Sequence, residues 1–399
     1  MNETVVYSTT FRRLTVAAAF ASLFAFALTI TLTPAAVNQI SVELCHKSKT
    51  LVGYLYEAGT AGFLCCVLVG GRYSDKHGKL AVLGLGCVLM GIGSYMFAHA
   101  WSYAAVFVAV TVMGAGGGLA EGISMAAIAD VFEVRGRTSM MNFAQTFFAV
   151  GAVLGPLGVS WLLAQHIDWR LAYVVASGLC VPGALLALTA VMRREERPVG
   201  HQHSGEWRLL LKDRLVLALA LGVLLYVGAE GGQGCWLAAY FKQDLHALGP
   251  IAAATVALFW AGIGLGRAVT TWTARHLSDY AIVCMALGLA TISQTALLVV
   301  HSLVLALILV PILGFGLAPV WPTMISRASA LHPRQTGTVL SIVVSAGAVG
   351  GGIIPAMIGQ AADSVGLRYA LWTCVVLSLI NLVMFMALWK RHRARSQAA

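Results

Sequence analysis

Residues 114–156 read GAGGGLAEGISMAAIADVFEVRGRTSMMNFAQTFFAVGAVLGP, and they decide the fold of the chain. They form two apolar runs of helical length joined by a short basic segment, with Glu121 inside the first run. Glu121 lies fourteen residues before Arg135, which at about 1.5 Å per residue places it roughly 21 Å along a helix from the charged turn. Because a hydrocarbon core is about 30 Å thick, this spacing puts a carboxylate near the middle of a membrane.

Three glycines share the helical face of Glu121. Gly114, Gly117 and Gly118 lie seven, four and three positions before it, so the pattern predicts a carboxylate that faces a groove without side chains. An ionisable group inside a membrane is costly and typically marks a binding site or an ion pathway. Glu121 is therefore a candidate for substrate binding or proton coupling, and the alternative is a protonated or hydrogen-bonded packing residue.

The composition places the whole chain in a membrane. Its 399 residues are 59% hydrophobic and only 11% charged, with a mean hydropathy of +0.82, which excludes a soluble globular protein of this size. Apolar runs near twenty residues alternate with short charged turns, which predicts an all-α membrane protein with twelve transmembrane helices. The predicted helices span roughly 14–38, 50–71, 80–99, 103–131, 139–164, 170–192, 213–241, 249–273, 280–300, 303–329, 337–361 and 368–390.

The distribution of positive charge predicts the orientation. Of the 26 Lys and Arg residues, all but five fall in loops on one side, which the positive-inside rule makes cytoplasmic. The exceptions are Lys47, Lys49, Arg170, Lys242 and Arg368. This bias predicts cytoplasmic termini and a cell membrane location, a bacterial inner membrane being expected. The net charge of +10 is thus an orientation signal, and nucleic acid is not expected as a partner.

The two halves of the chain resemble each other. Four pairs of matching segments lie at nearly one offset, between 195 and 200 residues. The pairs are Gly71-Arg72 with Gly266-Arg267, Gly114 with Gly314, Pro156 with Pro355, and Arg170 with Arg368. We therefore predict a six-helix bundle at 1–192, a cytoplasmic linker at 193–212 and a second bundle at 213–399. Parallel repeats of this kind predict a binding site between the halves at the membrane midplane, reached from alternate sides.

Residues 71–79, GRYSDKHGK, follow predicted helix two as a short loop and match the pattern G-x-x-x-D-[RK]-x-G-[RK]. With the duplication, this motif resembles the major facilitator superfamily. The resemblance implies the major facilitator fold, transport by alternating access and a conformational latch formed by Gly71, Arg72, Asp75, Lys76, Gly78 and Lys79. The second copy lacks the aspartate, so we expect a stronger latch in the first half; the alternative for Asp75 is an ordinary loop charge.

Further motifs resemble the fucose:proton symporter family and related sugar transporters. They are Tyr226–Trp236 in predicted helix seven, Asn142–Gln145 in helix five, Ala318–Thr323 with Trp321 in helix ten, and GGGIIPAMIGQAAD in helix eleven. In that family a glutamate of helix four, matched by Glu121, takes part in sugar binding and proton coupling. The chain departs from the family in having no acidic residue in helix one.

The residues of helix seven predict a binding face independently of this resemblance. Glu230 lies sixteen residues from Arg214 and twelve from Lys242, so it too is near the midplane. Tyr226, Glu230, Gln233 and Trp236 follow helical spacing along one face. Carboxylates, amides and an aromatic ring suit a sugar, and Asn142 and Gln145 add amides from helix five. The alternative is interhelical packing through the same polar groups.

A neutral sugar or polyol fits this inventory best. An organic anion would need a buried arginine, and none is expected at the midplane. Arg267 is the predicted counterpart of Arg72. Arg267 is therefore read as structural, with a functional role as the alternative. The rival function is drug/proton antiport, since GAVLGPLG at 151–158 resembles part of an antiporter signature. A receptor built on the same fold would normally carry an extra soluble domain.

Other functional classes lack their motifs. The two linker histidines, His201 and His203, have no carboxylate or cysteine at ligand spacing, so no metal site is expected. No phosphate-binding loop or catalytic triad is present, so we expect no enzyme activity and no cofactor. The expected partners are a small-molecule substrate, a coupling proton and the lipid bilayer, and the expected state is a monomer.

Overall fold

The computed structural model describes residues 7–132, 134–193, 210–273, 276–332 and 336–398. Within these ranges, twelve helical segments are long and apolar enough to cross a membrane, which confirms the predicted all-α membrane protein. The helices are α1 Thr9–Ala35, α2 Val37–Leu44, α3 Lys49–His77, α4 Lys79–Ala98, α5 Tyr103–Val131, α6 Val134–Ala164, α7 Leu171–Met192, α8 Arg214–Gln243, α9 Gly249–Thr273, α10 Asp279–Val299, α11 Leu303–Leu317, α12 Val320–Leu331, α13 Thr336–Val365, α14 Leu367–Ala370 and α15 Trp372–Ala398.

Two predicted helices are interrupted beside a proline. The first breaks at Ala36, two residues after Pro34, and continues as α2. The tenth breaks at Ala318 and Pro319 and continues as α12. Proline has no N–H to donate to the preceding turn, and its ring crowds the carbonyl four residues earlier. The polar positions after each break therefore lie on a separate short helix.

Residues 71–77 are helical, so the prediction of a short loop over 71–79 is wrong. α3 continues to His77, so Gly78 alone separates it from α4. Gly78 has a φ of 93°, a left-handed conformation that is strained for residues with a side chain. The turn between predicted helices two and three is therefore a one-residue joint.

The described chain forms two compact units. The first contains the described residues up to Thr33 and from Ala58 to Arg193, and the second contains Pro34–Glu57 and the described residues from Leu210 onward. Residues 194–209, the main part of the predicted linker, lie outside the described residues. The predicted domain boundaries at 192 and 213 therefore stay predictions.

The two units repeat the same close contacts between helices. In each unit a pair of glycines lies against backbone carbonyls of the neighbouring helix, too close for any side chain. The contacts are Gly62 with Thr111 and Gly114 with Gly59 in the first unit, and Gly262 with Pro311 and Gly314 with Phe259 in the second. Every residue number rises by 200 between the units. The duplication read from the sequence is therefore reproduced in the packing, with a defined register.

This register corrects one of the matched pairs in the sequence. An offset of 200 places residues 266–267 opposite residues 66–67, not opposite 71–72. Arg267 is therefore five residues, about 7.5 Å, deeper in its helix than the position of Arg72. It belongs to the membrane-spanning segment Gly249–Thr270, and it is not the counterpart of a loop arginine.

Pro34–Glu57 forms an arm that packs within the second unit. The Asn38 side chain donates to the Ala238 carbonyl at 3.0 Å, and the Tyr56 hydroxyl donates to the Cys235 carbonyl at 2.9 Å. The Asp363 carboxylate of α13 accepts hydrogen bonds from the N-terminus of α3, whose first N–H groups have no partner inside the helix. The donors are Lys49 N at 2.9 Å, Thr50 N at 2.8 Å and the Ser48 hydroxyl at 3.0 Å.

Candidate functional site

Glu121 lies on α5 in the first unit, inside the spanning segment Tyr103–Val131, and is partly exposed. The glycines on its face do not leave an open groove as predicted. Gly114 lies against Gly59 and Gly118 against the Phe63 carbonyl, so α3 fills the space beside them. These glycines allow two helices to approach closely, and the carboxylate lies one turn beyond the contact.

An aromatic cluster beside α5 was missed by the sequence analysis. A methyl group on Gly117 would lie 2.6 Å from the Phe26 ring of α1. The ring centroid of Phe26 is 5.9 Å from that of Phe63 and 5.9 Å from that of Phe148. Phe148 follows Gln145 by three residues on α6, so a partly exposed amide and the rings share one side of that helix. The GAGGG run signalled this contact, because glycine admits a ring where a side chain would not fit.

Asn142 is on α6, three residues before Gln145, but its side chain lies outside the described structure. The structure therefore brings Gln145 near the aromatic cluster without showing where the second predicted amide points. Both residues stay candidates for substrate binding.

Glu230 lies on α8 in the second unit, inside the spanning segment Arg214–Gln243, and is partly exposed. The Tyr226 hydroxyl, one turn earlier, donates to Glu230 Oε1 at 2.6 Å. Arg267 of α9 interacts electrostatically with both groups. Arg267 therefore lies next to this carboxylate, three residues before the end of its spanning segment at Thr270. The interpretation of Arg267 as the counterpart of a loop arginine is corrected by this placement. A phenol, a carboxylate and a guanidinium can together hold and exchange a proton or bind an acidic group.

Gln233 and Trp236 are fully buried within the second unit. The Trp236 indole donates from Nε1 to the Pro355 carbonyl at 2.9 Å, and its ring lies edge-on to Tyr56 with centroids 5.9 Å apart. Neither amide atom of Gln233 has a hydrogen-bond partner among the described residues. Buried amides normally find a partner, so Gln233 stays a candidate for binding although α8 turns it inward.

Trp321 is the second residue of the short helix α12. A methyl group on Gly347 of α13 would lie 3.2 Å from its Cζ3 atom. The indole is partly exposed, so one edge packs on α13 while the rest stays accessible. The break at Pro319 therefore positions this aromatic candidate.

The predicted latch residues lie at the α3–α4 joint. Lys79 forms an ion pair with Asp130 at the end of α5, whereas Lys76 and Gly71 are exposed. The side chains of Arg72 and Asp75 lie outside the described structure. Among the described residues, no group of three His, Cys, Asp or Glu side chains is arranged to hold a metal ion.

Comparisons with known proteins agree with this architecture. The chain is 25% identical over 323 residues to "Protein TsgA homolog" of Yersinia enterocolitica, covering 78% of this chain and 79% of the relative. The homologous protein of Yersinia pestis is 23% identical over 319 residues, with the same coverage.

Solved structures share the fold at low sequence identity. A bacterial homologue of the human lysosomal transporter Spinster, inward-facing and occupied, matches with a TM-score of 0.76 and 16% identity, covering 96% of this chain and 98% of that one. Its unoccupied form matches with a TM-score of 0.73 at 16% identity, covering 95% and 97%. The profile of the Major Facilitator Superfamily matches residues 14–355 and 219–399. The chain therefore belongs to the Major Facilitator Superfamily, whose members are transporters and not enzymes.

Proposed function

We propose that the protein couples proton movement to the uptake of a sugar or a similar small polar solute by alternating access. The observation that carries this proposal is the hydrogen bond from Tyr226 to Glu230 inside a membrane span. A carboxylate at that depth is costly and typically marks a substrate or ion pathway. The Tyr226 hydroxyl orients this carboxylate, whose second oxygen can take up a proton. Glu121 supplies a second carboxylate within the spans of the first unit.

A sugar-like solute suits the chemistry of the candidate residues. Carboxylates accept paired hydroxyl groups, the amides of Asn142, Gln145 and Gln233 donate and accept, and the partly exposed Trp321 indole offers an apolar face. The resemblance to the fucose:proton symporters points the same way. We also propose that the termini are cytoplasmic, that the host membrane is a bacterial inner membrane, and that residues 71–79 act as a conformational latch in a monomer.

Uptake into proteoliposomes tests this function. An inward proton gradient should drive accumulation of a transported sugar from a radiolabelled panel, and collapse of the gradient should abolish it. Glu230→Gln should lose gradient-driven accumulation because a glutamine cannot take up the proton. Sugar accumulation that ignores the gradient would contradict proton coupling.

The alternative is drug/proton antiport, favoured by the partial antiporter motif at 151–158. Its signature in the same vesicles would be proton-driven movement of a lipophilic cation, such as tetraphenylphosphonium, with no exchange of any sugar. This result would replace the uptake proposal.

A further inference from the structure

Tyr226, Glu230 and Arg267 lie at one level of the second unit. The Phe259 ring of α9 would contact a methyl group on Gly234 of α8 at 3.4 Å, so these antiparallel helices touch there. Tyr226 and Arg267 are each eight residues from that contact on their own helices, which places them at about the same depth. Glu230 lies one turn from Tyr226 and within its hydrogen-bonding reach. The three groups form a cluster by geometry as well as by charge.

Glu230 is a charged neighbour of Arg267 and carries the opposite charge. Next to Glu230 on α8, a methyl group on Gly231 would lie 3.6 Å from Gly351 Cα and 3.8 Å from Pro355 Cγ, so the α13 residues at this contact carry no charge. A guanidinium inside a membrane-spanning segment is costly and commonly pairs with an anionic group. Arg267 and Glu230 attract each other electrostatically.

We propose that Arg267 binds the acidic group of an organic anion and that protonation of Glu230 makes it available. This inference rests on the proposed proton-coupled uptake and narrows the substrate to a hydroxylated carboxylate, such as a sugar acid. A planar guanidinium binds a carboxylate through two parallel hydrogen bonds, a geometry that a neutral sugar cannot use.

The charges balance in this exchange. Before binding, the Glu230 carboxylate neutralises Arg267 and accepts from the Tyr226 hydroxyl. A proton from solution then binds a Glu230 oxygen, and the substrate carboxylate takes over as the counter-ion of Arg267. The net charge of the cluster is the same before and after. Proton and anion must strengthen each other's binding by the same factor, which is the coupling that uptake requires.

Equilibrium binding to purified protein in nanodiscs tests the proposal, with D-gluconate as the acidic probe and D-glucose as its neutral partner. Gluconate should bind in preference to glucose and weaken about tenfold per unit rise in pH, because one proton is linked to each anion. The affinity of Glu230→Gln for gluconate should not change with pH, because the glutamine side chain is always uncharged.

Arg267→Gln should weaken gluconate binding about ten- to hundredfold. Arg267→Lys keeps the charge without the planar fork and should give an intermediate, still pH-dependent affinity. The matched control is Arg327→Gln, which removes an arginine paired with Asp279 outside this cluster and should leave gluconate binding unchanged.

The outcomes separate this inference from the proposed function. Proton-driven uptake of glucose with no binding of gluconate would overturn the anion site and leave the uptake function intact. Gluconate binding that is insensitive to pH, or unchanged in Arg267→Gln and Arg267→Lys, would also overturn it. Movement of lipophilic cations alone would instead contradict the uptake function itself.

Discussion

Lys79 and Asp279 occupy corresponding positions at the starts of α4 and α10, 200 residues apart, and carry opposite charges. Lys79 binds Asp130 at the end of α5. Asp279 pairs with Arg327 of α12, with 3.5 Å between Oδ2 and Nη1. In each unit an ion pair therefore joins the start of the third spanning helix to the end of the fourth. The basic partner is on the third helix in the first unit and on the fourth helix in the second unit. The second unit thus has an ion pair at the corresponding place, although it lacks the aspartate of the 71–79 motif.

These two ion pairs should contribute differently to the free energy of unfolding. Lys79→Ala should lower the free energy of unfolding by less than about 1 kcal/mol, as for other partly exposed ion pairs. Arg327→Ala should cost more, because Arg327 also stacks on the Tyr280 ring at 4.1 Å and donates to its hydroxyl at 2.8 Å. Unfolding midpoints of the detergent-solubilised protein measure both, and the exchange Lys79→Asp with Asp130→Lys should restore the first. An equal or smaller loss for Arg327→Ala would refute this ranking.

Glu121→Gln should abolish proton-driven accumulation while exchange of substrate across the membrane continues. The glutamine keeps the size and hydrogen-bonding capacity of the side chain but cannot carry a proton. The control is Glu57→Gln, which alters an exposed carboxylate on α3 and should leave accumulation intact. If Glu121→Gln accumulates substrate as well as the parent does, Glu121 has no part in coupling.

Trp236→Phe should destabilise the second unit without any ligand present. The phenyl ring fills most of the indole volume but cannot donate to the buried Pro355 carbonyl, and loss of this hydrogen bond should cost about 1 kcal/mol. Trp101→Phe is the matched control, because that indole is 86% exposed. Thermal unfolding compares the two, and equal midpoints would show that the indole hydrogen bond contributes nothing.

Cys45 should report on the arm at Pro34–Glu57. Its thiol is fully buried, and burial raises the pKa of Cys45 to about 12, so a maleimide should label it slowly. Asp363→Asn removes the carboxylate that caps α3 and should accelerate labelling several-fold by loosening the arm. Labelling with a membrane-impermeant maleimide, with Cys45→Ser as the blank, measures the rate. An unchanged rate would show that the cap does not hold the arm.

Asp213 should make the stability of α8 depend on pH. Burial alone would raise its pKa, but hydrogen bonds from His332 at 2.8 Å and from the Leu215 and Val216 N–H groups outweigh burial, so the pKa lies below its ordinary value. A lowered pKa stabilises the folded state above the unfolded pKa, and this contribution is lost as the pH falls through the folded pKa. Asp213→Ala should therefore cost about 1 kcal/mol at neutral pH and progressively less below about pH 4.

Urea unfolding at several pH values checks this dependence. Lys212→Ala, next to the cap, is the control and should show no such loss. A penalty for Asp213→Ala that stays constant down to acid pH would contradict the assignment.

The spanning helices could be predicted because each is one long apolar run, and α5 and α9 begin and end where their charges and turns indicate. The interruptions were missed, because hydropathy does not distinguish a continuous run from two helices joined at Pro319. The end of α3 was missed for the opposite reason. Its last turn is polar and therefore looks like a loop, although its backbone continues the helix to His77.

The candidate site was harder to predict than the fold. The spacing of Tyr226 and Glu230 indicated a shared face, and the hydrogen bond between them follows from it. The placement of Arg267 could not be read from the sequence, because a two-residue match with Gly71-Arg72 suggested a register that the glycine contacts exclude. Gln233 and Trp236 show the same limit: helical spacing relates residues on one helix, but the neighbouring helices decide which of them are buried.

The contacts of the arm at Pro34–Glu57 should tolerate mutation on one side and not on the other, because side chains of the arm donate to main-chain atoms of α8. Asn38 and Tyr56 both donate to main-chain oxygens, those of Ala238 and Cys235. Any amino acid supplies such an oxygen, so the acceptor positions are free to drift in sequence while the donor positions are not. In a saturation library we expect Ala238 and Cys235 to accept residues of similar volume, whereas at Asn38 and Tyr56 only side chains that donate at the same reach should survive.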